Sequence, residues 1–179
     1  MNSKLAIFSL VLLLSGCGGD SGSSSAEDYA NSVCGDVGSW IADIDDTLKS
    51  FKDDGLSVTE EDVKAAVDDT KDSTQTMVRD LGELDPPETD AGTKAKSELD
   101  SLGSQLQQQL DTIEQALNGG GPVLAQISTV TAALSAGAKE VQSTYDELKG
   151  LDPGGELQDG FQNADDCKTL DDQIASIGS

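Results

Sequence analysis

The chain has 179 residues, 34 of them acidic against 11 basic, for a formal net charge of −23. That balance excludes nucleic acid as a partner, because phosphates would repel it, and excludes flat adsorption on anionic lipid. The absence of histidine removes the commonest general base and the commonest transition-metal ligand. The acids, 24 aspartates and 10 glutamates, run along the chain rather than forming one tail, which predicts a solvated acidic surface and a soluble monomer under self-repulsion. Raising salt from low levels should therefore raise the melting temperature followed by circular dichroism, and a flat response would contradict the self-repulsion.

The chain opens with Ser3-Lys4, an apolar run from Leu5 to Leu14, and then Ser15-Gly16-Cys17. A positive start, a short apolar core and a small-residue cleavage site make a secretory signal. The run is too short to span a bilayer, which takes roughly 20 residues. Leu14-Ser15-Gly16-Cys17 resembles the lipobox of bacterial lipoproteins. The resemblance implies that residues 1–16 are a signal peptide and that Cys17 carries the lipid, palmitate included, and becomes the mature N-terminus. It also implies an extracytoplasmic protein anchored to the bacterial cell membrane. Residues 17–25 hold Gly18-Gly19 and Ser21-Gly22-Ser23-Ser24-Ser25, a composition that buries nothing and reads as a flexible tether. Residues 26–179 then form one domain.

That domain reads as all-α, because apolar residues recur every three or four positions and strand signals are absent. A first helix, about 26–53, carries Val33, Val37, Trp40, Ile41, Ile44, Leu48 and Phe51 on one side. A second, about 58–84, carries Val63, Val67, Thr70, Thr74, Met77, Leu81 and Leu84. A third, about 87–118, carries Ala95, Leu99, Leu102, Leu106, Leu110, Ile113 and Leu117, and a fourth, about 122–149, carries Ile127, Val130, Leu134, Ala138, Val141, Tyr145 and Leu148. Near-heptad seams joined by short connections predict an antiparallel up-down-up-down four-helix bundle. A short fifth helix, about 155–168, places Phe161, Ala164, Cys167 and Leu170 together.

Boundary signals support these limits. Ser25 with Asp28, and Ser57 with Glu60, read as capping boxes. Asp85 before Pro86-Pro87 reads as the cap of the third helix, and Gly119-Gly120-Gly121-Pro122 as the turn into the fourth. Leu84-Asp85-Pro86 after the second helix is echoed by Leu151-Asp152-Pro153 after the fourth, the pattern a duplicated helical hairpin would leave. In an exported protein the two cysteines remaining after Cys17, Cys34 and Cys167, are expected to pair. An up-down-up-down path brings the end of the fourth helix back beside the start of the first, so the pair needs no special route.

No segment carries a recognisable chemistry. Asp53-Asp54-Gly55 with Glu60-Glu61 resembles half of a calcium loop, but Ser50 and Lys52 stand where the first ligands belong. The clusters Asp43, Asp45, Asp46 and Asp68, Asp69, Asp72 fall between stripe positions and read as solvated faces. Gly119-Gly120-Gly121 lacks the lysine and hydroxyl of a phosphate loop. Gln107-Gln108-Gln109 reads as a polar helix face, and Trp40 as a core residue. The expectation is no catalytic residue, no metal and no cofactor.

The lipobox, the tether, the acidic helical body, the Leu-Asp-Pro punctuation and the late cysteine together resemble small uncharacterised helical lipoproteins of actinobacteria. That resemblance implies no activity. The leading expectation is a non-enzymatic envelope interaction or scaffold protein with an envelope protein partner, which should show a filled core and an apolar patch outside. The alternative is a sensor-like bundle module for a small ligand, which should hold a cavity of roughly 300 Å³ or more. An enzyme, the remote alternative, should show a cleft with titratable groups of perturbed pKa.

Overall fold

The apolar stripes of the four long segments become one shared core, and every regular element of the described structure is a helix. The computed structural model describes residues 25–177. The expected signal peptide, residues 1–16, Cys17 and all of the expected tether but Ser25 lie outside the described residues. Helix α1 spans Ala26–Asp54, and a 3-10 turn Gly55–Ser57 leads to α2, Glu60–Glu83. Then follow α3, Asp90–Asn118, α4, Val123–Gly150, α5, Glu156–Asn163, and α6, Asp165–Ile177. Helix α1 packs on α2, α5 and α6, and α3 on α2 and α4, while α1 meets α4 only sparsely. The result is a helical bundle.

Stripe positions are buried almost throughout, and those near helix ends, Leu48, Leu84, Leu117 and Ile127, are half-buried against the core. Thr70 and Thr74 sit in the α2 stripe without orphaned hydroxyls. Each donates back to the carbonyl four residues earlier at 2.7 Å, Ala66 and Thr70 respectively.

Two helix starts differ from the sequence expectation. Helix α2 is capped by Thr59 and Asp62, not by Ser57 and Glu60. The Thr59 amide donates to the Asp62 carboxylate at 2.9 Å, and the Asp62 amide to the Thr59 hydroxyl at 3.2 Å. The delay arises because Gly55, at φ 49°, turns the chain and the 3-10 turn occupies the residues through Ser57. Helix α3 is capped by Thr89, whose hydroxyl accepts from the Gly92 amide at 2.9 Å, and not by Asp85. Here the chain folds back on itself. A Cβ at Gly92 would stand 2.1 Å from the Pro87 carbonyl oxygen, so the proline pair becomes a brace against which the first turn of α3 seats.

The fifth helix is two helices. The apolar residues Phe161, Ala164, Cys167 and Leu170 are all buried, but the chain breaks at Ala164, where ψ is 128°. The break follows from what α5 and α6 touch. Helix α5 meets the start of α1, where Gly160 lies so close that a Cβ would be 2.5 Å from the Ala26 carbonyl oxygen. Helix α6 instead lies along α1, with the Asp166 amide donating to Asn31 Oδ1 at 3.3 Å and Gly38 beside Gln173. One straight helix could not do both. The α5–α6 pair also grips α4: Gln158 Nε2 donates to the Lys149 carbonyl at 3.2 Å, and Phe161 meets Tyr145 edge to face at 6.2 Å. Leu-Asp-Pro ends α2 and α4 alike, but the residue after each helix differs: Leu84 is extended and Leu151 remains helical.

Candidate functional site

Four places could carry function, namely the bridge, the core, an acidic groove and the outer face of α4. Cys34 and Cys167, the expected pair, lie at bonding distance with Cα atoms 4.9 Å apart, within the usual span of a disulfide. Both are essentially inaccessible, at 1% and 0% exposure. A thiolate cannot attack a sulfur it cannot reach, so the pair is placed to staple α6 to α1 rather than to exchange. Tyr145 closes the cluster, its hydroxyl donating to the Cys167 carbonyl at 3.3 Å, and Lys149 sits 4.0 Å over the tyrosine ring.

Trp40 is buried in the core. Its indole N–H donates to Thr74 Oγ1 at 2.9 Å, and its ring reaches α4 at Gly137, where a Cβ would come within 3.5 Å. The space left among Trp40, Leu106, Ile113, Leu134 and their neighbours is about 10 Å³. That is at the lower limit for a single water molecule.

Buried phenols make this core sensitive to alkali. Burial, and then the charge of Asp100, push Tyr29 up to about 12. Tyr145 is raised as well, by burial first and then by Asp171. Unfolded tyrosines ionise near pH 10. The unfolded chain therefore loses these protons first, so stability is intact below about pH 10 and falls as pH rises towards the folded values. A spectroscopic titration should show phenolate appearing together with loss of helix. Phenolate forming near pH 10 with the helix intact would contradict the burial.

An open groove of about 470 Å³ runs between α1 and α2 and is walled by Asp36, Asp80, Glu83 and, from α6, Asp166. A second groove of similar size continues past Asp36 and Asp80 to Asp43 and Asp72, with Trp40 and Met77 in its wall. Burial, and then the charge of Asp80, raise the Asp36 carboxyl above the usual range, so its ionised form opposes folding. Asp80 is itself paired with Arg79 at 2.9 Å, and Asp43 accepts from the Ser73 hydroxyl. Among the described residues no three acidic side chains converge as metal ligands. The other acids singled out in the sequence point to solvent: Asp46, Asp53, Asp54, Asp68 and Asp69 are exposed.

The outer face of α4 is different and was not apparent from the acidic count. Residues 115–138 contain no charged side chain, a gap that a running charge profile would have revealed. Within that gap Leu124, Ala125, Ser128, Ala132 and Ala136 are exposed, spaced so that they follow one side of the helix. Leu124, 59% exposed, is the one large hydrophobic side chain so exposed among the described residues. It follows the Gly120-Gly121 turn, whose φ values of 65° and 143° carry the chain from α3 into α4. This neutral strip contrasts with acidic surface on α1, α2 and α6.

Compared with known proteins, the chain matches no family model, no curated protein and no solved structure. Among the described residues no helix is long and apolar enough to cross a membrane.

Proposed function

We propose that the protein is a lipid-anchored lipoprotein of the bacterial cell envelope, held outside the cytoplasm through Cys17, whose helical domain is a non-enzymatic interaction or scaffold module. The observation that carries the interaction reading is the neutral strip on α4. Interface centres are depleted of charge relative to the rest of a protein surface. Here a chain of net charge −23 leaves one exposed helix face uncharged and puts Leu124 at its start. The anchoring half of the reading is supported by Leu14-Ser15-Gly16-Cys17 and the tether behind it. A ligand held between the helices finds only about 10 Å³ beside Trp40.

The proposal includes an up-down-up-down path for α1 to α4. Its support is the register of the contacts. On α1 and α2, Asp36 and Asp80 share a groove wall while Asp43 meets Ser73. On α2 and α3, Lys71 pairs with Glu114 while Lys96 reaches the Gly82 carbonyl at 2.8 Å. In each pair one sequence number rises as the other falls. On this path the tether joins the bundle at the end holding Cys34 and Cys167. Leu124 then stands at the far end, roughly 40 Å away at about 1.5 Å per helical residue.

A photo-crosslinking residue at position 124 of the anchored protein in intact cells tests the interaction reading. A discrete adduct is expected from position 124, none from Asp68 on the acidic face, and loss of the adduct when Ser128 is replaced by Glu. Equal adducts from positions 124 and 68, or none from either, would reject the strip as an interaction surface.

A further inference from the structure

We infer that Asn118–Gly119, at the end of α3, is a site of spontaneous deamidation, a covalent modification that takes only water as co-reactant. Asparagine is a chemically labile residue, and its decay needs two freedoms: the side-chain amide must be able to turn onto the following backbone nitrogen, and that nitrogen must be unhindered. The three described asparagines differ in both respects. Asn31 Oδ1 is held by the Asp166 amide at 3.3 Å, and Asn163 Nδ2 by the Asp159 carbonyl at 2.8 Å. Asn31 is followed by Ser32 and Asn163 by Ala164. Asn118 is exposed, its side chain takes no hydrogen bond among the described residues, and it is followed by glycine, which puts no Cβ in the way.

The chemistry balances. The Gly119 amide nitrogen, on losing its proton, attacks Asn118 Cγ. The N–Cγ bond forms, the Cγ–Nδ2 bond breaks, and ammonia leaves with a succinimide in place of the peptide link. Water then opens the ring at either carbonyl, giving aspartate or isoaspartate with no change of oxidation state. The helix-cap contacts gate the step, the Gly120 amide donating to the Leu117 carbonyl at 3.2 Å beside the cap bond of Gly119 itself. The Gly119 amide donates to the Gln115 carbonyl at 3.0 Å as the helix cap, so attack requires the last turn of α3 to open. Terminal turns open at little cost, and Gly120 and Gly121 beyond it add none of the restraint a side chain would.

The product places a carboxylate inside the charge-free stretch 115–138 and at the negative end of the α3 dipole. The modification stands on its own chemistry. Its consequence, a slow loss of the neutral surface beside Leu124, rests on the interaction reading above.

The test is to hold the folded full-length chain at 37 °C and mildly alkaline pH for weeks, and to map peptides by mass together with isoaspartate detection. The peptide containing Asn118 should gain about one mass unit and split into two forms, while those containing Asn31 and Asn163 do not change. Isomerisation at Asp54–Gly55 or Asp159–Gly160 leaves the mass unchanged and cannot be mistaken for it. Gly119→Ala should slow the conversion several-fold. It should fold normally, because Gly119 has helical φ and ψ of −69° and −12° and the nearest atom to an added Cβ is at 3.4 Å. Asn118 persisting while Asn31 or Asn163 converts, or an unaltered rate in Gly119→Ala, would overturn the inference. Comparing fresh and aged protein in the position-124 crosslinking assay tests the consequence separately, so failure there would leave the chemistry standing.

Discussion

Removing the Cys34–Cys167 bridge should cost about 5 kcal/mol and lower the melting temperature by roughly 10–20 °C. The magnitude follows from the 133 residues that separate the two cysteines. Closing so long a loop in the unfolded chain removes a large share of its conformational freedom. Strain or residual denatured-state structure would bring the figure down, so it is an upper value. The replacement should be Cys34→Ala with Cys167→Ala together, because each site is fully buried and a lone thiol would add a second effect. The α5–α6 pair keeps its other contacts with α1 and α4, among them Gly160 on Ala26 and Gln158 on Lys149, so the variant should stay helical at room temperature. Paired thermal scans of the parent and the double variant measure the difference. A shift of no more than about 2 °C, or about 1 kcal/mol, would show that the C-terminal helices hold without the staple.

Trp40→Ala should destabilise the bundle by about 3–5 kcal/mol, the cost of deleting a large buried aromatic. Trp40 is 3% exposed and spans the space between α2 and α4, so backbone on opposite sides would have to move to refill it. Trp40→Phe separates packing from hydrogen bonding. It keeps most of the ring and gives up the bond to Thr74, which still donates to the Thr70 carbonyl at 2.7 Å. Its cost should be about 1 kcal/mol, that of one hydrogen bond whose acceptor remains engaged. Chemical denaturation of both variants checks the pair. Equal losses would mean that the polar contact, not the ring, holds this region.

The parts of the fold legible in the sequence were those set by local periodicity. Val33, Ile44, Val63, Leu106 and Val130 could be assigned to the core because a 3.6-residue repeat in a long helix leaves only one side to bury. The break at Ala164 could not be. Phe161, Ala164, Cys167 and Leu170 are spaced for one continuous helix, and the bend comes from two different surfaces of α1 that the segment must meet. Asp85 before Pro86 carried a strong local capping signal, yet Thr89 takes that role. The contact between Gly92 and the Pro87 carbonyl is made by the chain folding back, which no window of sequence displays. The neutral strip had the opposite fate. Its charge gap is plain in the sequence, but its meaning depends on which residues of α4 face outward. Cys17 enters for a different reason: the proposal for it rests on the resemblance of Leu14-Ser15-Gly16-Cys17 to a processing signal, not on a packing pattern.

Mass analysis of the mature N-terminal peptide, from protein extracted with detergent out of its native membranes, addresses the anchored-lipoprotein account most directly. The expected result is a chain beginning at Cys17, with a lipid on its sulfur and residues 1–16 absent. A chain that retains residues 1–16, or one with an unmodified thiol at Cys17, would contradict it.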